Sequence, residues 1–362
     1  MPDWTRSMER TYEFYVVDPT TWKDVKQIRN IKTCTISRDS DAETLGSASI
    51  TITESIGECY IRVYLITIQN GIKEKHPLGT FLVQTPSLSF DGKTFDITMD
   101  AYTPLIELKE KYPDIGFYID KDENIMKHVC THTNDNVRAP VIFGSSDHKT
   151  EKVVNADPNE TWLSYLIDLL TVAKYSYSLD ETSRILFEPH RDTASLQPVW
   201  EYNDDNSSIL YPDLNINRDI YGVPNVVEVV YSTINGKVCC TVKNYDPGSP
   251  TSITSRGREI KHRIIDPDTL SDINSIKDYA KQMLKELSTV EYTVVYTHGY
   301  CPVRLGDCVR LNYTRAGLDG VKAKVIKQAI SCDTSCSVTE TAVYTTSLID
   351  MKYVEEEVTA NE

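Results

Sequence analysis

The stretch from Ser271 to Tyr344 decides the fold of this sequence. It begins with an amphipathic segment, SDINSIKDYAKQMLKELS (271–288), whose apolar residues recur at helical spacing. Four short runs rich in β-branched residues follow: EYTVVYTHG (291–299), CPVRLGDCVRLNY (301–313), LDGVKAKVIKQAIS (318–331) and SCSVTETAVYTTS (335–347). Such runs, separated by turn residues, are typical of strands. The stretch therefore predicts a helix that leads into a small β-meander or barrel.

The chain before residue 104 also has the pattern of β structure. Polar and apolar residues alternate in KTCTISRDSD (32–41) and in SASITITES (47–55). The turn signals Asn70-Gly71 and Asp91-Gly92 each lie between two strand-like runs and predict two hairpins. Many short strands with regular turns are typical of a small barrel or sandwich.

The period changes after Thr103-Pro104, and residues 105–198 predict a mixed α+β unit. Asp122 is the predicted N-cap of a helix that continues through His132. PNETWLSYLIDLLTVAKY (158–175) predicts a second helix. Its apolar stripe consists of Trp162, Tyr165, Leu166, Leu169, Leu170 and Ala173. A hairpin around Asp180-Glu181 follows.

From Trp200 onward the chain reads as β again, with a hairpin predicted at Asn235-Gly236. DPGSPTSITSRGR (246–258) is the most loop-like stretch and predicts a loop that is either mobile or ordered by a partner. The last residues, VEEEVTANE (354–362), predict an acidic, frayed tail.

The predicted fold class is mainly β with an α+β insertion. Two small β-barrel domains, of the tube type, bracket a mixed α+β domain. The predicted boundaries are an N-terminal β-barrel (1–104), the α+β domain (105–198), a second β-barrel domain with the helix 271–288 and the loop 246–258 (199–345), and an acidic tail (346–362). A chain of 362 residues is long enough for two to three domains.

Composition narrows the classes of partner. The formal net charge of −15 argues against adhesion to nucleic acid or to anionic membranes, which bind Lys- and Arg-rich patches. The sequence contains no run of 18 apolar residues, and MPDWTRSMER (1–10) lacks the apolar core of a signal peptide. The nine cysteines form no CxxC pair, so free thiols in a reducing cytoplasm are expected. Tyrosine is abundant, 22 residues against 7 Phe, which suits sheet faces and interfaces.

Two weak patterns suggest metal chemistry. His128 and His132 are separated by one helical turn, a spacing that can chelate zinc, but the HExxH pattern of metalloproteases is absent. Four cysteines near the C-terminus have spacings that do not match zinc ribbons; they are Cys301, Cys308, Cys332 and Cys336. A surface helix and buried thiols are the preferred interpretations, and no metal is predicted.

Other candidates also have structural interpretations that we prefer. Three acidic pairs, Asp39/Asp41, Asp120/Asp122 and Asp204/Asp205, are weighed as glycosidase carboxylates and interpreted as turn residues. Gly306-Asp307 is interpreted as a strand-to-strand turn. Five tyrosines are weighed as a carbohydrate-stacking face and interpreted as sheet and interface residues: Tyr60, Tyr64, Tyr292, Tyr296 and Tyr313. The motifs GxSxG, GxGxxG and P-loop are absent, so no catalytic or cofactor-binding residue and no cofactor are predicted.

Four stretches resemble hub proteins of phage tail baseplates, of the PBSX type and the late-control-protein type, and of related contractile injection systems. The first is TFLVQTPSLSFDGKTFDITMDAYTPLIELKEKY (80–112), a hairpin ending in an Ala-Tyr strand before a short helix. The others are NETWLSYLIDLLTVAKYSYSLDETSRILFEP (159–189), SIKDYAKQMLKELS (275–288), and CPVRLGDCVRLNY (301–313) with GLDGVKAKVIKQAIS (317–331). Their order along the chain resembles that of the family.

The resemblance implies a structural, non-enzymatic protein at the distal end of a phage tail tube. It implies a homotrimer whose pseudo-sixfold ring joins a sixfold tube to a threefold spike or tip and lets DNA pass. It implies as partners the tail tube protein, baseplate or wedge proteins, a spike or tail-tip protein and the tape measure protein, without specific nucleic-acid binding. It implies a virion location after synthesis in the host cytoplasm. The alternatives left open are a tail-associated cell-wall hydrolase and a glycan-binding tail protein.

Overall fold

A computed structural model of the chain describes residues 2–54, 56–191, 193–218, 220–233, 236–267, 275–347 and 350–361. The chain divides into two compact units. Unit 1 consists of Met1–Leu214 and Val295–Ala342, and unit 2 consists of Asn215–Val294 and Val343–Glu362. The four-part division predicted from the sequence stays a prediction.

Seven strands form the N-terminal part of unit 1. They are β1 (Glu9–Val17), β2 (Asp24–Ile28), β3 (Ile31–Asp39), β4 (Gly46–Ile52), β5 (Tyr60–Gln69), β6 (Ile72–Phe90) and β7 (Phe95–Tyr102). They pair in the antiparallel order β3–β4–β7–β6–β5–β1–β2. The hairpins predicted at Asn70-Gly71 and Asp91-Gly92 are confirmed, since β5 pairs with β6 and β6 with β7. Asn70 and Gly71 both have positive φ, as a type I′ turn requires.

Eight elements follow between residues 106 and 189. They are α1 (Ile106–Lys109), β8 (Tyr118–Ile119), α2 (Ile125–Asn136), β9 (Val141–Ile142), β10 (Val154–Asn155), α3 (Trp162–Ala173), β11 (Tyr175–Leu179) and β12 (Ile185–Pro189). The six residues of the predicted stripe on α3 are all buried. The hairpin predicted at Asp180-Glu181 is confirmed by the pairing of β11 with β12.

Helix α2 begins later than the sequence predicts. Its N-cap is Asn124, whose side chain accepts a hydrogen bond from the backbone N–H of Lys127. Asp122, the predicted N-cap, has a φ of 65° and lies outside the helix. Both residue types favour this role, so the sequence pattern did not distinguish them.

The described part of the chain from residue 200 onward contains twelve strands and α-helices. They are β13 (Trp200–Asn203), β14 (Leu210–Arg218), β15 (Val226–Thr233), β16 (Gly236–Asn244), α4 (Ile253–Arg256), β17 (Lys261–Ile265), α5 (Ile276–Leu287), β18 (Thr289–Gly299), β19 (Cys308–Tyr313), β20 (Leu318–Ser331), β21 (Ser337–Ser347) and β22 (Val354–Asn361). Strands β15 and β16 form the predicted hairpin, with Thr233 opposite Gly236, while Asn235 lies outside the described residues. The first residues of the predicted helix 271–288, through Asn274, also lie outside them.

Unit 2 has a four-stranded sheet with the order β17–β15–β16–β22. Helix α5 packs on it through Ile276, Ala280 and Leu284, which repeat every four residues and are buried. The expectation of a frayed tail was wrong, because residues 354–361 form strand β22 and pair with β16. Glu356 of this strand also pairs with Lys281, at 3.1 Å.

The loop at 246–258 is densely hydrogen-bonded within unit 2. Ser249, Thr251 and Ser252 have no exposed surface. The Ser252 hydroxyl accepts from the backbone N–H of Ser255, at 3.1 Å, and so caps α4. The side chain of Asn225 donates to the carbonyl of Thr251, at 3.1 Å. The predicted mobility of this loop stays a prediction, and these bonds weigh against it.

The prediction of a mainly β protein is confirmed, with 48% of the described residues in strands and 16% in helices. The described pairings form one open strand order, β14–β18–β21–β20–β3–β4–β7–β6–β5–β1–β2, with β13 and β19 joined at β20. The closure of these strands into barrels stays a prediction. In the part of the chain that the structure describes, no helix has the length and apolar character needed to cross a membrane.

Candidate functional site

The predicted histidine pair lies in an aromatic cluster of unit 1. The rings of His128 and His132 stack with centroids 5.8 Å apart. His132 also stacks on Trp162, at 4.8 Å, and meets the ring of Phe117 edge-on. Burial lowers the pKa of His132, which favours a neutral packing residue. Among the described residues, no group of three or more His, Cys, Asp or Glu side chains is arranged to hold a metal ion.

The structure divides the four C-terminal cysteines among different places, although Cys332 and Cys336 lie near each other. Cys301 lies beside His298, whereas Cys308 begins β19. Cys332 lies beside Cys34, and Cys336 lies beside Tyr12. A site of four thiolates is therefore not assembled from these residues.

The acidic pairs that the sequence suggested stabilise local structure. Asp39 and Asp41 both contact the ammonium group of Lys327, at 3.1 and 2.9 Å. Asp204 contacts Arg315, at 3.5 Å, and the carboxylate of Asp205 accepts the backbone N–H of Ser207, at 2.8 Å. These contacts favour the structural interpretation of both pairs.

The pair Asp120/Asp122 stabilises local structure through backbone hydrogen bonds to Thr150. Thr150 donates its hydroxyl to the carbonyl of Asp120, at 2.6 Å, and its carbonyl accepts the N–H of Asp122, at 2.9 Å. The turn at Gly306-Asp307 has its predicted geometry, with φ of 82° at Gly306. Asp307 accepts from the backbone N–H of Arg304, at 2.8 Å, which closes the turn.

The five candidate tyrosines do not form one common stack. Tyr60 packs edge-on against Trp22, and Tyr292 stacks on Tyr344. Tyr64 donates to the carboxylate of Asp24, at 2.7 Å. Two further contacts involve Tyr296, with Glu340, and Tyr313, with the carbonyl of Pro212. Three of the five are buried: Tyr60, Tyr64 and Tyr296.

Six side chains of unit 1 form one hydrogen-bonded group, which we call the buried polar network. Its members are Tyr202 of β13, Tyr296 and His298 of β18, Cys301, Gln328 of β20 and Glu340 of β21. Each of them is at least 97% buried. Burial of so many polar groups is costly unless each finds a partner.

The alternation of side chains along the strands places these residues. In β18, the alternate residues Val294, Tyr296 and His298 are all buried. In β20 the alternation slips by one position, because Ala323 and Val325 are buried and then Gln328 and Ile330. The slip turns the Gln328 amide inward.

Glu340 accepts several hydrogen bonds in the network. Its Oε2 accepts from the hydroxyls of Tyr296, at 2.7 Å, and Tyr202, at 3.1 Å, while its Oε1 accepts from the amide of Gln328, at 2.6 Å. Burial would raise the pKa of Glu340, but the charge of His298 and these hydrogen bonds hold it below its usual value. The carboxylate is therefore ionised at neutral pH.

His298 is the counter-charge. Its Nδ1 lies 2.7 Å from the carbonyl oxygen of Gly299, so Nδ1 carries a proton and donates. Its Nε2 lies 3.4 Å from Oε2 of Glu340. Burial would lower the pKa of His298, but hydrogen bonds with Cys301 and Glu340 and the carboxylate charge raise it. The arrangement is a buried imidazolium–carboxylate pair.

The network contains the residue types of a thiol nucleophile site but not the access that one needs. The Sγ of Cys301 lies 3.2 Å from the Tyr202 hydroxyl and 3.9 Å from Nδ1 of His298. Burial raises the pKa of the Cys301 thiol, which disfavours the reactive thiolate. His298 and Glu340 have no exposed surface, and Cys301 has 2%. The network is therefore suited to holding strands together.

A cavity of about 620 Å³ in unit 1 is lined by residues from distant parts of the chain. It includes Arg38 of β3, Gly79 of β6, Glu181 and Arg304. Arg304 and Glu181 form an ion pair across it. Arg38 extends to the carbonyl of Leu78, at 2.7 Å, and to Oε1 of Gln328, at 2.9 Å. The arginine thus connects β6 with the buried polar network.

The turn between β11 and β12 is fastened to β6. The hydroxyl of Ser183 accepts the backbone N–H of Thr80, at 2.7 Å, and the Thr80 hydroxyl donates to the carbonyl of Thr182, at 2.9 Å. That carbonyl also accepts from Nε1 of Trp22, at 3.0 Å. These bonds connect the α+β segment to the N-terminal strands.

Sequence reasoning missed the buried polar network. One signal was present in the sequence. Tyr296 and His298 follow Val294 at alternate positions, so the three side chains lie on the same face of the strand. Glu340 likewise lies on the same face of its strand as Val338 and Ala342. An ionisable residue on the apolar face of a predicted strand indicates a buried polar contact.

The fold was compared with solved structures. The tail protein from Neisseria meningitidis MC58 superposes over 93% of this chain and 97% of its own, with a TM-score of 0.61 and 11% sequence identity. The chain has the fold of a phage-type tail protein. The 43 kDa tail protein of prophage MuSo2 from Shewanella oneidensis shares this tail-protein fold over 92% of this chain and 98% of its own, with a TM-score of 0.60 and 12% identity.

A chain in the structure of a Francisella PdpA–VgrG complex is similar too. It covers 93% of this chain but only 53% of its own, with a TM-score of 0.56 and 7% identity. The tail-protein fold therefore also occurs as part of longer chains. No protein-family model and no curated protein matches the sequence.

Proposed function

We propose that this protein is a structural hub at the distal end of a phage or phage-like tail tube. The observation that carries the proposal is the match of nearly the whole fold to two tail proteins whose own chains are also nearly fully covered. Proteins at such low identity share a fold without necessarily sharing a function. The resemblance of the four sequence stretches to hub proteins supports the same function independently of the fold.

The hub works as a homotrimer in this proposal. Three copies form a ring of pseudo-sixfold symmetry, which joins the sixfold tube to a threefold spike or tip. Closed symmetry satisfies the exposed surfaces of each copy. The partners are the tail tube protein, baseplate proteins, a spike or tip protein and the tape measure protein.

The charge of the chain suits a ring through which DNA passes. A formal net charge of −15 repels phosphates and disfavours retention of DNA. Adhesion to DNA requires Lys and Arg contacts with phosphates. The protein serves as a passage and not as a nucleic-acid-binding protein.

The proposed role is structural and non-enzymatic. The residues that most resemble a catalytic set, Cys301, His298 and Glu340, are enclosed in the buried polar network. A hydrolase with a thiol nucleophile needs that thiol to be accessible to the substrate and within hydrogen-bond reach of its base. A zymogram on host cell wall is expected to show no clearing, whereas clearing that Cys301→Ala abolishes would favour a hydrolase.

In this proposal, the apolar end of the β6–β7 hairpin is the self-contact, the surface through which one copy of the chain contacts another. Phe90 and Phe95 stack there with centroids 4.5 Å apart, and both are at least half exposed. Leu88 on the same hairpin is 61% exposed. Exposed apolar groups of this kind favour protein contacts.

Mass photometry of the purified chain tests the assembly. The expected result is a species of three times the chain mass of 41.1 kDa, alone or on addition of the tail tube protein. A strictly monomeric chain that also fails to bind the tube protein would contradict the proposal.

A further inference from the structure

We propose that Cys34 and Cys332 form a disulfide when the protein meets an oxidising thiol–disulfide environment. The two thiols lie on facing chain segments in unit 1. The inference concerns the chemistry of this pair and holds whether or not the protein is a tail hub.

The backbone register sets the two residues opposite each other. Strands β3 and β20 are antiparallel, with Ile36 opposite Ile330 and Thr35 opposite Ser331. One step further, Cys34 faces Cys332, and the backbone N–H of Cys332 donates to the carbonyl of Cys34, at 3.0 Å. Directly opposed residues with such a bond have Cα atoms about 5.5 Å apart, which lies inside the roughly 4.4–6.8 Å range of disulfides.

The side chains also approach each other. A hydrogen bond with the Cys34 thiol is the main reason that the pKa of the Cys332 thiol is raised, and burial adds to the effect. The backbone register brings the two residues within the Cα range of disulfides, and bond formation then requires the two side chains to rotate until their sulfurs meet.

A surface groove gives a small oxidant access to the pair. The groove has a volume of about 460 Å³ and is lined by both cysteines, Tyr12, Arg29 and Lys32, among other residues. Cys34 is 3% exposed, and Cys332 is partly exposed. The cationic side chains suit an anionic disulfide such as oxidised glutathione.

The reaction is two thiol–disulfide exchanges. The Cys332 thiolate attacks one sulfur of oxidised glutathione, forms a mixed disulfide and releases one glutathione thiolate. The Cys34 thiol then loses its proton to solvent and attacks Sγ of Cys332, which releases the second glutathione. Two protein thiols are oxidised and one oxidised glutathione is reduced. The raised pKa of Cys332 makes the first step slow at neutral pH and faster as pH rises.

The bond would fasten β3 to the chain directly after β20. Residues 34 and 332 lie near opposite ends of the sequence, so the closed loop is long and the unfolded chain is strongly restrained. Structural disulfides persist outside reducing cytoplasm. The thiols stay reduced in a reducing cytoplasm, and in an oxidising environment the bond locks this part of unit 1.

The test begins with the full-length chain purified under reducing conditions. The protein is incubated with oxidised glutathione at pH 7.0 and at pH 8.5, its remaining thiols are alkylated in urea, and it is analysed by mass spectrometry. The expected product has lost about 2 Da before alkylation. It has two reactive thiols fewer than the nine in the sequence, and it yields a Cys34–Cys332 cross-linked peptide. It forms faster at pH 8.5.

Two variants and one control sharpen the assignment. Cys332→Ser is expected to form no disulfide at Cys34, and Cys34→Ser is expected to stop at the mixed disulfide of Cys332 with glutathione. Cys59→Ser, which changes a partly exposed cysteine elsewhere, is expected to oxidise like the unchanged chain. Should a buried serine prevent folding of Cys34→Ser, peptide mapping of the unchanged chain still decides. Retention of all thiols at both pH values, or a bond from Cys332 to Cys336, would overturn the proposal.

Discussion

The Nε2 atom of His298 lies 3.4 Å from Oε2 of Glu340, and neither side chain has exposed surface. The two residues come from β18 and β21, and Gln328 of β20 and Tyr202 of β13 also donate to the carboxylate. One ionised carboxylate thus connects side chains from four strands. The stability of this part of unit 1 should depend on the pair more than on any exposed ion pair.

Removal of the negative charge tests this dependence. We expect Glu340→Gln to lower the free energy of unfolding by about 3–5 kcal/mol, because it leaves a buried imidazolium without its counter-charge. Urea unfolding followed by circular dichroism measures the loss. Glu201→Gln is the control, since Glu201 pairs with Arg310 at the surface and is expected to change stability by at most about 1 kcal/mol.

The double variant separates the ion pair from general disruption. His298→Gln with Glu340→Gln removes both charges, so it should cost less than the two single substitutions added together. Strict additivity would show that the two side chains do not interact, and would contradict the assignment of the pair.

The same pair predicts a pH optimum of stability. The folded pKa of Glu340 is below its usual 4.5, so its contribution is complete above that pH and is lost as pH falls through the folded pKa. The folded pKa of His298 is raised from 6.5, so its contribution is complete below 6.5 and is lost as pH rises through the folded pKa. Both contributions are complete only between about pH 4.5 and 6.5.

Thermal unfolding across pH checks this optimum. The difference in Tm between the unchanged chain and the double variant His298→Gln with Glu340→Gln should be greatest inside that window and shrink on either side. A difference that does not vary with pH would contradict an ionised pair.

The hydrogen bond between Ser183 and Thr80 predicts a smaller effect. Ser183→Ala leaves the N–H of Thr80 without its acceptor in a buried site, and we expect a loss of about 1–3 kcal/mol. The matched control is Ser176→Ala, whose hydroxyl is exposed and makes a long bond of 3.4 Å. Equal effects of the two substitutions on urea unfolding would show that the hydrogen bond between Ser183 and Thr80 contributes no specific stability.

Substitutions at the β6–β7 hairpin should weaken assembly without lowering the stability of the fold. Phe90→Ser with Phe95→Ser changes two side chains that are 56% and 50% exposed, so Tm should change little. In mass photometry the variant should shift from trimer toward monomer. A variant that trimerises at the same concentration as the unchanged chain would exclude this hairpin as the self-contact.

Local patterns were sufficient for most elements of the fold. Turn residues at Asn70-Gly71 and the apolar stripe from Trp162 predicted a hairpin and a helix that the structure contains. They failed where the partner is distant in sequence. Strand β22 has the sequence of a frayed acidic tail, because the strand that it pairs with, β16, lies more than a hundred residues earlier in the chain.

The buried polar network shows the same limit. His298 and Glu340 stand on the apolar face of their strands, which the alternation reveals, but nothing local shows that they meet each other. The slip of alternation before Gln328 is equally hidden, because a change of phase within a strand depends on both neighbouring strands. Contacts between distant residues decide these features.

In the proposed function, the protein lies at the distal end of a tail. Immunogold electron microscopy of tail particles from cells that make this chain tests it most directly, with antibodies raised against the purified protein and particles lacking it as the control. Label at one end of the tail, the end distant from the capsid, is the predicted result. Complete tail particles from cells that make the chain, with no label at either end, would contradict it.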